Sequence, residues 1–381
     1  MPLAARLRLP DQPLLRHLAL AAVAAAFFYV VTISISSYHD YEVGLIAVYA
    51  TAIVGLSMLT GVNGQISLGQ GGFMAVGAYV FAILQVHDHL PLAVELLAAV
   101  AASSALGLIV GIPATRLRGP YLAGMTLILA LGLPQLADKY SSVFHGDQGL
   151  ATNPPVPPGS VDPQRWLAWI EILGAIITFV LIANLVRSHF GRSMRAVRDG
   201  EIAASLAGIR VGRTKVLAFV VSAGCAGLAG AFLGLSTGIV NPGEFALTLS
   251  LYLLAAMVLG GAGSLGGPWW GAVAVVYLPQ WSSSISKSFS LGNAVSANLA
   301  IVIYGVVLIG VMMLAPTGVQ GGIRWLGERA LRGSGSRWHP SVITAPYGGP
   351  ATGIGETPKR DEPRSTSRTE PETDDTERTP L

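Results

Sequence analysis

The run Val216-Leu217-Ala218-Phe219-Val220-Val221-Ser222-Ala223-Gly224-Cys225-Ala226-Gly227-Leu228-Ala229-Gly230-Ala231-Phe232-Leu233-Gly234-Leu235-Ser236-Thr237-Gly238-Ile239 contains no charged side chain. As a helix it reaches about 36 Å at 1.5 Å per residue, enough to cross ~30 Å of hydrocarbon. Seven cations stand immediately before it: Arg187, Arg192, Arg195, Arg198, Arg210, Arg213 and Lys215. An apolar span with a basic flank is the unit from which the rest of the chain can be read. Its small residues, with Cys225 among them, form a face suited to close helix packing.

Working outward, similar runs recur. Candidate spans lie near 15–36, 43–60, 67–85, 91–112, 120–137, 166–186, 216–239, 246–262, 267–284 and 295–315. The third, fifth, eighth and ninth are short or interrupted by Gly and Pro. The composition agrees, with 52% hydrophobic residues, 12% charged and a mean hydropathy of +0.57 over 381 residues. Soluble domains carry about 25% charge, so an ordinary soluble enzyme is excluded. One cysteine excludes a disulfide framework and multi-cysteine metal sites. The fold class expected is an all-α integral membrane protein of about ten transmembrane helices.

The charges set the orientation. With ten spans and a cytoplasmic N-terminus, the inside segments hold sixteen Lys and Arg residues. The outside loops hold three: Lys139, Arg165 and Lys287. This is the positive-inside pattern, and it places both termini in the cytoplasm. Residues 1–14 form the N-terminal cytoplasmic segment, 15–320 the membrane domain and 321–381 a cytoplasmic tail. The first apolar stretch continues through Val31, longer than a signal-peptide core, and reads as an uncleaved span. From Trp338 onward eight acids and five bases sit among Pro, Thr, Ser and Gly. That composition cannot offset chain entropy by burial and reads as disorder, either inert or regulatory.

Three segments are not ordinary spans. Gly61-Val62-Asn63-Gly64-Gln65-Ile66-Ser67-Leu68-Gly69-Gln70-Gly71-Gly72-Phe73 sets glycines, amides and hydroxyls between two apolar helices. Irregular backbone at membrane depth must be buried in protein or line a watery path. The pathway reading nominates Asn63, Gln65, Ser67 and Gln70. The alternative is a loop followed by a Gly-rich packing face. Gly260-Gly261-Ala262-Gly263-Ser264-Leu265-Gly266-Gly267-Pro268-Trp269-Trp270 has the same character and adds Ser264. Both contain Ser-Leu-Gly, which marks either a parallel internal repeat or coincidence in a Gly-rich chain. Trp269 and Trp270 also suit an interfacial belt.

The third segment runs from His189 to Ile209. Met194, Val197, Ile202, Leu206 and Ile209 recur at roughly helical spacing, and Gly208 is a helix stop. A short amphipathic helix too short to span either rests on lipid headgroups or docks into a partner's groove.

These motifs, with Arg116-Leu117-Arg118-Gly119-Pro120-Tyr121-Leu122-Ala123 and Ala218 to Ala231, resemble the permeases of branched-chain amino acid (LIV-type) ABC transporters. The resemblance covers roughly residues 43–320. It implies that loop 187–215 is a coupling loop, with Glu201, Ala203, Ala204 and Gly208 at the acidic–Ala–Ala…Gly signature. Arg192, Arg195, Arg198 and Asp199 flank it. The three arginines either pair with acids on a partner or enforce topology. The implied assembly is a second permease subunit, two cytoplasmic ATP-binding subunits and an external substrate-binding protein in the inner cell membrane. No G-x-x-x-x-G-K-[ST] loop occurs, so ATP hydrolysis is expected in partner chains. The family's usual Thr-Gly-Gly-rich external stretch is replaced by Phe144 to Thr152 followed by prolines. Urea and short-amide permeases share most of these motifs and are the alternative.

No cofactor or metal is expected. His87-Asp88-His89 lacks a third histidine and reads as a solvated turn. Glu95 sits within reach of water at a helix end. The span interiors are almost free of charge, which argues against an ion-coupled secondary transporter.

Overall fold

The computed structural model describes residues 37–288, apart from 88, 89 and 118, with scattered positions between 21 and 32 and between 302 and 323. The first span, the last span and the tail fall wholly or largely outside the described residues, as do Asp88, His89 and Arg118.

Helices dominate the described chain. They are α1 (Ser37–Leu56), continued by a π-helical turn Ser57–Val62, then α2 (Gln70–His87), α3 (Leu92–Ala114) and α4 (Pro120–Lys139). After α5 (Ser141–Phe144) and a 3-10 turn comes α6 (Pro163–Arg187), then α7 (His189–Asp199) and α8 (Glu201–Leu206). The last three are α9 (Val211–Thr237), α10 (Leu247–Gly260) and α11 (Gly267–Ser288). The eight expected spans between residues 43 and 284 fall on helices, most of them within a few residues at each end. Among the described residues, five segments are long and apolar enough to cross a membrane: His39–Val62, Leu92–Ala114, Pro120–Lys139, Pro163–Arg187 and Val211–Thr237. The fifth expected span, interrupted by Pro134, is among them.

The opening run, α9, is the central post, packed against α1, α2 and α3. Its small residues explain why. A Cβ on Gly230 would strike the Met74 carbonyl, and one on Gly77 would strike the backbone of Gly227. Helix backbones thus touch, which van der Waals packing in lipid requires. Beside this contact Ser103 Oγ of α3, which Gly227 meets, donates to the Phe73 carbonyl of α2 at 2.9 Å. Phe219, Phe232, Ala226 and Ala229 fill the surrounding core.

Elsewhere the helices are apolar on their outer faces as well. Leu97, Ile109 and Ile112 on α3, Ile128 and Leu131 on α4, and Leu173 and Leu181 on α6 are all exposed. Helices apolar all round belong in lipid or against another membrane chain.

One end of the bundle is tied by polar contacts. Arg165 Nε of α6 pairs with Asp40 at 3.1 Å, and Tyr277 of α11 donates to Glu42 at 3.1 Å. Glu171, eight residues into α6, is buried and accepts from Ser236 of α9. It lies inside a span, where the sequence leads to the expectation of interiors almost free of charge. At the same end two short strands, β1 (Leu150–Ala151) and β2 (Ile239–Val240), pair antiparallel. They lead through a 3-10 turn, Pro242–Phe245, into α10. With 14 residues, α10 reaches only about 21 Å and cannot span alone.

Candidate functional site

The first Gly-rich segment breaks the chain inside the bundle. Residues 63–69 are not helical, and α2 begins at Gln70 deep in protein rather than at a surface. Gln70 Nε2 donates to the Ala52 carbonyl of α1 at 2.9 Å, and Ser222 Oγ, in the middle of α9, donates to Gln70 Oε1 at 3.4 Å. A helix start within the bundle leaves amide donors that water cannot reach. Hydroxyls from other helices serve them. Thr126 Oγ1 of α4 accepts from Leu68 N, and Ser250 Oγ of α10 accepts from Gly71 N, both at 2.9 Å. Ser67 Oγ accepts from Gly69 N at 3.3 Å.

Asn63 and Gln65 are buried beside each other, with Asn63 Nδ2 donating to Gln65 Oε1 at 2.5 Å. Asn63 Oδ1 and Gln65 Nε2 have no hydrogen-bond partner. All four nominated residues of the first segment are therefore enclosed by protein. Ser264, in the second segment, caps α11 instead, accepting from Gly267 N at 3.0 Å and donating to Gly261 O at 2.8 Å.

The two Gly-rich segments meet. A Cβ at Gly61 would occupy the position of Gly263 N, and that amide donates to Ser57 Oγ at 3.0 Å. Trp269 stacks between Phe28 and Phe179, with ring centroids 5.1 and 5.0 Å apart, while Trp270 is exposed.

The basic loop folds as two helices where the sequence suggested one. Ser188 caps α7 by accepting from Phe190 N, and α7 buries Met194 and Val197. Gly200 N closes α7 on the Ala196 carbonyl, and the Gly200 carbonyl opens α8 by accepting from Ala204 N. The chain turns between them as an elbow. At its far end Gly208 has φ +82°, Ile209 N bonds the Ala204 carbonyl, and Gly208 N bonds the Ser205 carbonyl. That is a Schellman stop, and it explains the glycine.

The nominated residues of the elbow divide by contact. Arg195 donates to the Val186 carbonyl at 3.2 Å. Arg198 donates to the Gly61 carbonyl at 2.7 Å and pairs with Asp199 at 3.2 Å. Its side chain also lies where a Gly64 Cβ would be. Glu201 pairs with Lys215 of α9 at 2.6 Å, and Lys215 is almost fully buried. Ala204 is buried, whereas Arg192, Ala203 and Gly208 are exposed. So are Ile202 at 73% and Leu206 at 85%. One face of the elbow grips the bundle and the other offers two bare aliphatic side chains.

Sequence reading counted Lys215 only among the loop cations and passed over Thr126, Ser250 and the 3-10 turn after β2. For the turn a signal existed. In Asn241-Pro242-Gly243-Glu244, an N-cap residue precedes Pro at N1 and an acid three residues on. Asn241 Oδ1 does accept from Glu244 N at 3.1 Å. Burial pushes the Glu244 carboxyl up to about 7, against the opposing Asn241 hydrogen bond.

Near the same end, Glu95 is buried and accepts from Gln85 Nε2 at 3.1 Å beside a cavity of about 250 Å3.

A central helix of small residues, apolar outer faces and helices broken at depth define a multi-pass helical membrane protein of transport type. Residues 38–315, most of the chain, match the family described as branched-chain amino acid transport system / permease component, and the chain belongs to that family. It is 32% identical over 242 residues to the high-affinity branched-chain amino acid transport system permease protein LivM of Salmonella typhimurium, covering 57% of each chain. It is 27% identical over 293 residues to LivH of Escherichia coli, covering 72% of this chain and 91% of that one. It is 37% identical over 101 residues to the autoinducer 2 import system permease protein LsrC of Klebsiella pneumoniae, covering 26% of this chain and 29% of that one. The chain thus spans little more than half of LivM. No solved structure matches it.

Proposed function

We propose that this chain is the membrane-spanning subunit of an ABC importer that carries branched-chain amino acids across the inner membrane. In this reading it has ten spans with both termini in the cytoplasm. A second permease subunit completes the path, two ATP-binding subunits drive it from the cytoplasm, and an external binding protein delivers substrate. Asn63, Gln65, Ser67, Gln70 and Ser264 lie along or beside the moving path.

The observation that carries the reading is the elbow. It is held to the bundle by Met194, Val197, Arg198 and the Glu201–Lys215 pair, while Ile202 and Leu206 stand bare at its tip. Two exposed aliphatic side chains on one turn of helix are the anchor of a helix-in-groove contact. An ATPase closing on that tip pushes on Arg198, and Arg198 holds the carbonyl at the start of the broken segment. Binding energy in one subunit thereby biases a two-state element in another.

The test is uptake of labelled leucine into proteoliposomes that hold the full complex. Uptake requires internal or external ATP on the side of the ATP-binding subunits, together with the binding protein. Leucine uptake driven by an ion gradient alone sinks the reading. Uptake of urea but not leucine transfers it to the short-amide class.

A further inference from the structure

An apolar cavity of about 360 Å3 lies between α2 and α4, lined by Ala75, Val76, Val80, Ile83, Leu133 and Tyr79 among others. Within this apolar lining Tyr79 brings a hydroxyl. Tyr79 is 5% exposed, and its hydroxyl is buried with no hydrogen-bond partner. An unpaired buried hydroxyl costs about 1–3 kcal/mol, so a native chain that keeps one calls for an explanation.

The ring cannot turn away to find water. Phe144 meets it edge-on at 5.0 Å, and Phe245 lies at 6.4 Å. Phe245 ends the 3-10 turn, and the residue before it holds a second orphan. Glu244 Oε2 is buried and unpartnered. Asn241 explains why it stays so. Its side chain accepts from Glu244 N and donates to Glu244 Oε1 at 3.2 Å, fixing both backbone and carboxylate. Glu244 and Asp138 both lie within electrostatic reach of the Tyr79 hydroxyl. Both are acidic side chains, and both orphan oxygens can accept hydrogen bonds. Among the described residues the other adjacent orphans, Asn63 Oδ1 and Gln65 Nε2, lie by the elbow and are not part of this group.

We propose that this compartment receives a primary ammonium group attached to an apolar body. Glu244 Oε2 and the Tyr79 hydroxyl oxygen accept from the ammonium, and the α2–α4 cavity holds the hydrocarbon. An ammonium has three donors and no acceptor, which suits two acceptors flanked by acidic side chains. A cavity of this size and lining suits a small aliphatic group. The inference rests on the importer reading and names where this chain meets the substrate.

The experiment uses the full complex in proteoliposomes and follows leucine uptake alongside ATP hydrolysis stimulated by loaded binding protein. Loss of a charge-assisted hydrogen bond is worth about 10- to 100-fold. Glu244→Gln is expected to lower leucine uptake by at least tenfold, and Tyr79→Phe to lower it severalfold. Val80→Phe fills the cavity from its rim and is expected to block leucine. In all three, leucine uptake falls more than stimulated ATP hydrolysis does, because the elbow itself is untouched. Wild-type leucine uptake in all three variants overturns the site. So does a fall in uptake matched by an equal fall in stimulated ATP hydrolysis, the mark of a merely structural role. If wild-type complex takes up no leucine with ATP, the importer reading itself has failed.

Discussion

The Glu201–Lys215 pair makes an asymmetric prediction. The two atoms lie 2.6 Å apart, but Lys215 is 5% exposed and Glu201 is 31% exposed. Removing Lys215, as in Lys215→Met, leaves a carboxylate already one-third in water, and the methionine fills the same space. The expected cost is ~1 kcal/mol or less, in the range of a surface pair. Removing the charge at Glu201, as in Glu201→Gln, leaves a buried ammonium facing a neutral amide. Breaking a buried pair from one side costs about 3–5 kcal/mol. The retained amide oxygen and the partly wet setting bring that to ~2–3 kcal/mol. The double variant removes the stranded charge and is expected to recover most of the loss. Thermal unfolding of the detergent-solubilised chain, followed by size-exclusion fluorescence, measures all four members of the cycle. The reasoning fails if Lys215→Met destabilises as much as Glu201→Gln, or if the two losses simply add.

Other consequences can be checked in the same preparations. Gly208→Ala forces a side chain into φ +82° with open space around it, so it should cost ~1 kcal/mol of elbow stability, read as lowered stimulated ATP hydrolysis with normal membrane insertion. Leu206→Asp leaves the fold intact, because the side chain is 85% exposed, and should abolish co-purification of the ATP-binding subunits. Gly230→Val drives a side chain into the Met74 carbonyl and should cost ~3 kcal/mol or more, seen as loss of the monodisperse peak. Glu244 gives a pH signature. Its carboxyl, raised from 4.5 to about 7 by burial, holds its proton more tightly in the folded chain than in the unfolded one. Stability contributed there is full below pH 4.5, falls as pH rises towards 7 and is flat above. The groups on neighbouring elements are Tyr41, Tyr49 and Tyr79, Asp138 and Lys139 on α4, Asp147 and Tyr252. At 1.36 kcal/mol per unit the ceiling is ~3 kcal/mol, and water at the half-buried carboxyl reduces it to ~1–2. Unfolding curves from pH 4.5 to 7 should show the slope in wild type and lose it in Glu244→Gln.

The helices were legible because lipid demands long charge-free runs, and the breaks were legible because glycine and amides interrupt those runs. What the sequence could not show is which face each helix turns to protein. His39–Val62 and Leu92–Ala114 are about equally apolar, yet 78% of the first is buried and only 28% of the second. Lipid and protein core are both apolar, so hydropathy has no contrast to report. The partners of the elbow were hidden for another reason. Glu201 and Lys215 stand 14 positions apart on different helices, and no helical period joins them. The division at Gly200 was missed because Met194, Val197, Ile202 and Leu206 keep roughly helical spacing across it. The unpaired atoms of Tyr79 and Glu244 come from two separate elements, and only packing shows that neither meets a partner.

The elbow and the break form one load path, and its compliance has a definable place. Helix α7 is fixed by Met194 and Val197 beneath it and by Arg198 on the Gly61 carbonyl. Gly61 in turn has no room to move into Gly263, whose amide is held by Ser57. A push at Leu206 therefore cannot be absorbed at the elbow or at the Gly61–Gly263 contact without separating packed backbone. A continuous α-helix is stiff along its axis, because every amide is bonded within it. Asn63, Gly64 and Gln65 still donate to the carbonyls of Met58, Thr60 and Leu59, but residues 66–68 have no such ladder. They are held by single bonds to hydroxyls, above all Leu68 to Thr126, while the adjoining Gly71 is held by Ser250. A hydroxyl rotates and exchanges partners at little cost, whereas a backbone ladder does not. The segment is thus the softest link between the elbow and α2. It is also the point at which motion at the elbow reaches α2, α4 and α10 together, the helices that surround the Tyr79 and Glu244 compartment.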